Sequence, residues 1–160
     1  MNENQKLIRE FYTALQNADY KKMQECYHDD AIFFDPVFED LNAVEVRAMW
    51  EMLCKSARNF SVEFSNAEAD AEYGTCQWVA HYTFSQTGKK VTNKIKAYFR
   101  FYEGRIIEHT DNFDMWVWSR QALGLPGWVL GWSNVLQKRI RAKAQDNLAK
   151  FMQPDANRAS

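Results

Sequence analysis

Residues 29–38, Asp29-Asp30-Ala31-Ile32-Phe33-Phe34-Asp35-Pro36-Val37-Phe38, put an acid at the end of an apolar run with a proline directly behind it. Ile32, Phe33 and Phe34 are strong strand formers. Pro36 biases Asp35 away from helix and toward extended backbone. A strand over 31–35 is therefore predicted to end on the carboxylate. Among Phe33, Phe34, Val37 and Phe38, that carboxylate is a candidate for a raised pKa, because loss of water disfavours its charged form. Two readings fit: a proton-transferring acid in a pocket, and a strand-ending aspartate that caps a turn.

Upstream, Leu7, Ile8, Phe11, Tyr12 and Leu15 form the stripe of an amphipathic helix over 3–16. Asp19 has the chemistry of a cap for a short second helix bearing Met23 and Cys26. Downstream, Asn42 followed three residues later by Glu45 resembles a capping box. It opens a helix to about Ala57, with Val46, Met49, Trp50 and Leu53 on one face.

From residue 59 the apolar period drops to two. Phe60, Val62 and Phe64 mark one strand, and Trp78, Ala80, Tyr82 and Phe84 a second. Ile95, Ala97, Phe99 and Phe101 mark a third, and Ile107, His109, Asp111 and Phe113 a fourth. Thr87-Gly88 and Glu103-Gly104 supply turns between them, which predicts an antiparallel meander. Helices followed by a meander make an α+β fold with helices packed on one face of a curved sheet. Beyond it lies an apolar, glycine-punctuated loop, 123–132, containing Trp128 and Trp132. A helix capped by Ser133 or Asn134 then runs to about Met152, with Leu136, Ile140, Ala144, Leu148 and Phe151 as its buried stripe. Lys138, Arg139, Arg141, Lys143 and Lys150 read as its solvated face. The expected organisation is one domain over 1–152, with 118–152 as an extension and 153–160 as a flexible tail.

The 160 residues are 46% hydrophobic and 15% aromatic, which suits a large core, an aromatic pocket, or both. A net charge of −1 supplies no general attraction to nucleic acid or to an anionic membrane. The three cysteines, Cys26, Cys54 and Cys76, are scattered and odd in number, which fits reduced thiols and a cytoplasmic setting. The N-terminus carries no apolar signal region. Phosphate-cradling glycine loops, dinucleotide fingerprints and G-x-S-x-G are absent, which disfavours nucleotide-dependent and serine-hydrolase chemistry.

The sharpest constellation is Ile107-Glu108-His109-Thr110-Asp111-Asn112-Phe113. Period two sends His109 and Asp111 to the apolar face of the sheet, where ionisable groups need partners. Such a pair serves as a general base with its orienter, or as a structural network in the core. A metal site on His-x-Asp lacks the further ligands it would need, so none is assigned. Asn93, in phase with Ile95, offers an amide toward the same face; His81 falls on the opposite one, and His28 in a loop.

Helix, helix, "DDAIFFDPVF", helix, then a meander ending "KAYFRFYEGRIIEHTDNFD", resembles the nuclear transport factor 2-like superfamily over residues 5 to about 117. Within it the chain is similar to SnoaL-like polyketide cyclases and ketosteroid isomerases. The resemblance implies a cone, a curved antiparallel sheet wrapped around the N-terminal helices (the cystatin-like plan), here with an added C-terminal helix. It also implies a pocket at the wide end and homodimers. "DPV" falls where ketosteroid isomerases keep their proton-shuttling aspartate, which makes Asp35 the candidate base. Phe11 and Ala97 fall where those enzymes keep a tyrosine and a protonated aspartic acid as oxyanion donors. Losing one such donor costs about 10²–10³ in rate, so ketosteroid isomerase activity itself is not expected.

The resulting expectation is a cofactor-independent acid/base enzyme of isomerase, cyclase or hydratase type acting on a hydrophobic small molecule. Asp35 is its base and His109 with Asp111 a second acid–base pair. Tyr12, Trp50, Trp78, Tyr82 and Asn93 are the candidate wall, with 118–132 as the roof. Two alternatives share the fold: a binding protein without chemistry, and a dimeric interaction module working through the outer sheet and the Trp128–Trp132 loop.

Overall fold

The computed structural model describes residues 1–124 and 134–154. Two helices, α1 (Glu3–Gln16) and α2 (Tyr20–Glu25), lead into β1 (Tyr27–Asp35) and the short β2 (Glu39–Asn42). Helix α3 (Ala43–Ser56) follows, then β3 (Arg58–Ala69), β4 (Tyr73–Thr83), β5 (Lys90–Tyr102) and β6 (Arg105–Asn112). Two further helices, α4 (Met115–Leu123) and α5 (Asn134–Met152), complete the described chain.

Local chemistry sets the element ends. Asn42 and Glu45 form a full capping box at α3, each side chain accepting the other's backbone N–H. Asp19 caps α2 by accepting from Lys22 N. Glu103 and Gly104 both have positive φ, 51° and 73°, as a two-residue hairpin turn between β5 and β6 requires.

The six strands form one curved sheet in the order β2-β1-β6-β5-β4-β3. β3, β4, β5 and β6 are the antiparallel meander foreseen from the period-two pattern, whereas β1 joins β6 in parallel. β1 begins at Tyr27, four residues earlier than the run 31–35 suggests, so His28 lies on a strand and not in a loop. β2 has too few residues to carry a periodic signal.

The concave face holds the core, built from Ile8, Phe11, Tyr12 and Leu15 of α1, Val46, Met49 and Trp50 of α3, and inward residues of every strand. Ile95, Ala97, Phe99 and Phe101 are all buried along β5. On β6 the phase differs from the simple alternation. A register shift opposite Arg100–Phe101 turns Ile106 inward instead of Ile107, and His109 and Asp111 then follow on the same face. A bulge displaces the side-chain period by one residue.

Residues 118–123, expected as the start of the roof, belong to the helix α4, capped by Asp114 accepting from Trp116 N and Val117 N. Gln121 pins this helix to β5: its Oε1 accepts from Thr92 N and its Nε2 donates to Thr92 O. The rest of the expected loop, with Trp128 and Trp132, and Ser133 as a cap for the last helix, lie outside the described residues, as does most of the expected tail. No described helix is long and apolar enough to cross a membrane.

Candidate functional site

Inside the wide end of the sheet, under α5, lies a cavity of about 660 Å³, within the usual range for small-molecule sites. Its walls are mainly apolar and aromatic, and two carboxylates, Asp35 and Asp111, face into it.

Asp35 sits at the end of β1, where Pro36 stops the strand. Its Oδ1 accepts from Val37 N at 2.8 Å and Phe38 N at 2.6 Å. It is thus the cap of a turn and a cavity carboxylate at once. Burial pushes its pKa up to about 7. The negative charge of Asp111 adds to the rise, and the backbone N–H groups of Phe38, Val37 and Glu39 oppose it.

Asp111 is held from behind by a line of hydrogen bonds. The Trp50 Nε1–H donates to Tyr27 Oη at 2.9 Å, and Tyr27 Oη lies 2.7 Å from His109 Nδ1. His109 Nε2 is 2.9 Å from Asp111 Oδ1, which also accepts from Trp78 Nε1 at 3.3 Å. An indole N–H only donates and a carboxylate only accepts, so Tyr27 accepts from Trp50, and in the neutral imidazole that turns Nε2–H to Asp111 the Nδ1 accepts from the Tyr27 hydroxyl. Burial raises the Tyr27 pKa, which keeps its hydroxyl a donor throughout the neutral range. His109 is enclosed by the rings of Phe11, Tyr27, Phe33, Trp50 and Phe99.

The other sequence candidates divide. Trp50, Trp78, Tyr82 and Asn93 line the cavity with Asp35 and Asp111. Tyr82 is fixed there by Trp118, whose Nε1 donates to Tyr82 Oη at 2.6 Å. His109 does not reach the cavity; it stands behind Asp111. Tyr12 is not part of the wall either. It is fully buried in the core, its ring stacked on Phe64 with centroids 5.6 Å apart, and its hydroxyl has no hydrogen-bond partner among the described residues. The α1 stripe is wide enough that Phe11 and Tyr12 both turn inward, beneath the floor of the cavity. Phe11 and Ala97 are both buried and neither has a side-chain donor, so the isomerase-type oxyanion pair has no counterpart at these positions.

Two contributions escaped the sequence reading. Tyr27 precedes the apolar run and is separated from it by His28, Asp29 and Asp30 and by a register shift in its pairing, so no alternation marks it. α5 contributes to the roof over the described part of the cavity: Leu136, Ile140 and Ala144 line it, and so do Arg139, Lys143 and Asn147, beside Trp118 and Leu123 of the expected roof. Arg139 and Lys143 stay exposed, in keeping with a solvated face, and border the cavity as well. Arg141 Nε donates to Pro36 O at 2.7 Å and Gln145 Nε2 to Phe38 O at 3.3 Å, which ties α5 to the turn that carries Asp35. Among the described residues no group of three or more His, Cys, Asp or Glu is arranged to hold a metal ion.

The SnoaL-like domain family matches residues 8–109. The fold is similar to that of an LEH-like epoxide hydrolase from M. tuberculosis, at 19% identity and TM-score 0.64, over 80% of this chain and 93% of the other. It is similar to an NTF2-like protein of unknown function from Burkholderia pseudomallei, at 19% identity and TM-score 0.67, over 78% and 100%. It is also similar to a protein with a ketosteroid isomerase-like fold from Catenulispora acidiphila, solved with trimethylamine, at 12% identity and TM-score 0.65, over 76% and 94%. No curated protein matches the sequence significantly.

Proposed function

The chain belongs to the SnoaL-like domain family, and from that premise we propose that it is a cofactor-independent enzyme that moves protons on an apolar small molecule. The observation that carries the reading is the pair of buried carboxylates facing one aromatic cavity in unequal settings. Asp35, with its pKa raised to about 7, is divided between its two protonation states at neutral pH, as a residue that both takes and returns a proton requires. In its ionised form it abstracts a proton alpha to a carbonyl or from water; in its protonated form it gives that proton to a developing alkoxide or enolate oxygen. Asp111 is the second carboxylate, which orients water or a substrate hydroxyl. His109, which does not reach the cavity, is a positioning residue that holds Asp111 together with Trp78.

This assignment covers isomerase, cyclase and hydratase chemistry; an epoxide hydrolase among the proteins of similar fold makes addition of water one reaction to assay. Trp50, Trp78, Tyr82 and Asn93 make the substrate wall. Tyr12 has no place in the proposed mechanism, since it does not line the cavity.

The test is a thermal-shift screen against hydrophobic ketones, phenols, epoxides and fatty acyl compounds, followed by turnover assays on the hits. A ligand at 100 times its Kd adds about 2.7 kcal/mol to stability. Turnover of a hit that is lost in Asp35→Asn with binding retained supports the enzyme. Full turnover in Asp35→Asn removes Asp35 from the mechanism, and binding without turnover of any hit leaves a carrier.

A further inference from the structure

α5 turns two adjacent stripes toward the cavity. Leu136, Ile140 and Ala144 recur every four residues and make the apolar one. Arg139, Lys143 and Asn147 recur at the same interval beside it, and all three also line the cavity. Residues four apart stand one above the other on a helix, so the two cations form a pair on the cavity side of the roof. Both side chains remain exposed, which puts them at the rim. Of the other cations of α5, Arg141 is engaged by Pro36 O and Lys150 by Asp146, 3.0 Å away, and Lys138 does not line the cavity. Neither Arg139 nor Lys143 has a carboxylate partner among the described residues. The two acids are buried whereas both cations are exposed, which sets Asp35 and Asp111 deeper in the cavity than the pair.

Resting on the reading of the cavity as a small-molecule site, we infer that its substrates are amphipathic anions. The Arg139–Lys143 pair takes a carboxylate, sulfonate or phosphate at the rim, while the apolar body enters between α5 and the sheet. The reactive carbon end then meets Asp35 and Asp111 at the floor. The acids set the polarity: an anionic head is repelled from the floor and attracted to the rim, so the molecule enters in one orientation.

The test uses the full chain and two fluorescent probes that share a skeleton. 8-Anilinonaphthalene-1-sulfonate carries an anion, and N-phenyl-1-naphthylamine lacks it. Titrations are run at low and at physiological salt on the wild type and on a double variant, Arg139→Gln with Lys143→Gln. Both positions are exposed, and circular dichroism checks that the fold is kept. The wild type is expected to bind the sulfonate more tightly, and the two probes to displace one another. The double variant is expected to lose about tenfold in sulfonate affinity, the scale of two exposed charge pairs, with the neutral probe unchanged. Salt should weaken sulfonate binding in the wild type and have little effect in the variant. Equal affinity of the wild type for both probes, no mutual displacement, or an equal loss of both probes in the variant overturns the inference. If the neutral probe binds and only the preference is missing, the small-molecule cavity stands without its anion selectivity. If neither probe binds the wild type, the cavity reading falls and the inference with it.

Discussion

The Tyr27 hydroxyl lies 2.7 Å from His109 Nδ1, across 82 positions of sequence. Together with the Asp111 carboxylate at Nε2, this contact favours the tautomer that presents Nε2–H to Asp111. The parallel pairing of β1 with β6 brings the two residues together, although they belong to opposite ends of the sheet's sequence.

Replacing Tyr27 by Phe should therefore disturb more than one contact. It leaves Trp50 Nε1–H and His109 Nδ1 buried without their shared partner. Stability is expected to fall by about 1–3 kcal/mol for the unsatisfied groups, read as a lower denaturant midpoint. The ¹⁵N shifts of the His109 ring should change from the Nε2-protonated tautomer to a mixture. An unchanged ring spectrum would sever the link between Tyr27 and the tautomer.

Asp35→Asn should stabilise the protein at alkaline pH. The carboxylate's folded pKa of about 7 lies above its ordinary value of 3.8. Between those values the folded state binds more protons than the unfolded state, so stability falls as pH rises through this window. A tenfold change in proton affinity corresponds to about 1.4 kcal/mol, and a neutral amide avoids the whole penalty. The variant is expected to gain a few kcal/mol over wild type at pH 8 and to lose that advantage at pH 4. A pH-independent difference in Tm between the two would place Asp35 in a solvated setting.

Asp111→Asn removes the negative charge that helps to raise Asp35. The Asp35 pKa should move down from about 7 yet stay above 3.8, because burial, the larger cause, is untouched. The carboxyl ¹³C titration of Asp35 reads this directly. In an active preparation the acidic limb of the pH–rate profile should shift in the same direction.

Gly74→Ala tests the packing of α1 on the sheet. A Cβ at position 74 would stand 2.8 Å from Ile8 Cδ1, 2.9 Å from Phe101 Cε2 and 3.0 Å from Glu68 O. Overpacking of this kind costs about 1–3 kcal/mol. Chemical denaturation should show that loss, and a neutral substitution would mean that Ile8 and Phe101 repack freely.

Much of the architecture was legible because local chemistry wrote it. The capping pair Asn42–Glu45, the Pro36 stop after Asp35 and the two-residue periods of β4 and β5 each depend on neighbours within a few residues. The same holds for the inward placement of His109 and Asp111. Ile107 was misplaced by one residue, because a bulge is set by how two strands pair and not by either strand alone. Helix α4 was hidden within an aromatic stretch that reads equally well as an apolar loop. Tyr12 was placed in the wall because a helix stripe tells which residues turn inward, not what lies beneath them.

By itself, then, the sequence determined the α+β class, the strand that ends on Asp35, and the presence of a buried His–Asp pair. Those are short-range consequences of periodicity, capping and proline geometry. Only the tertiary structure decided that Tyr27 stands at His109 Nδ1, that Asp111 and not His109 meets the cavity, and that α5 sets Arg139 and Lys143 over its rim. Each depends on distances between segments tens of residues apart, and such distances are fixed by strand pairing and helix packing, which no local pattern encodes.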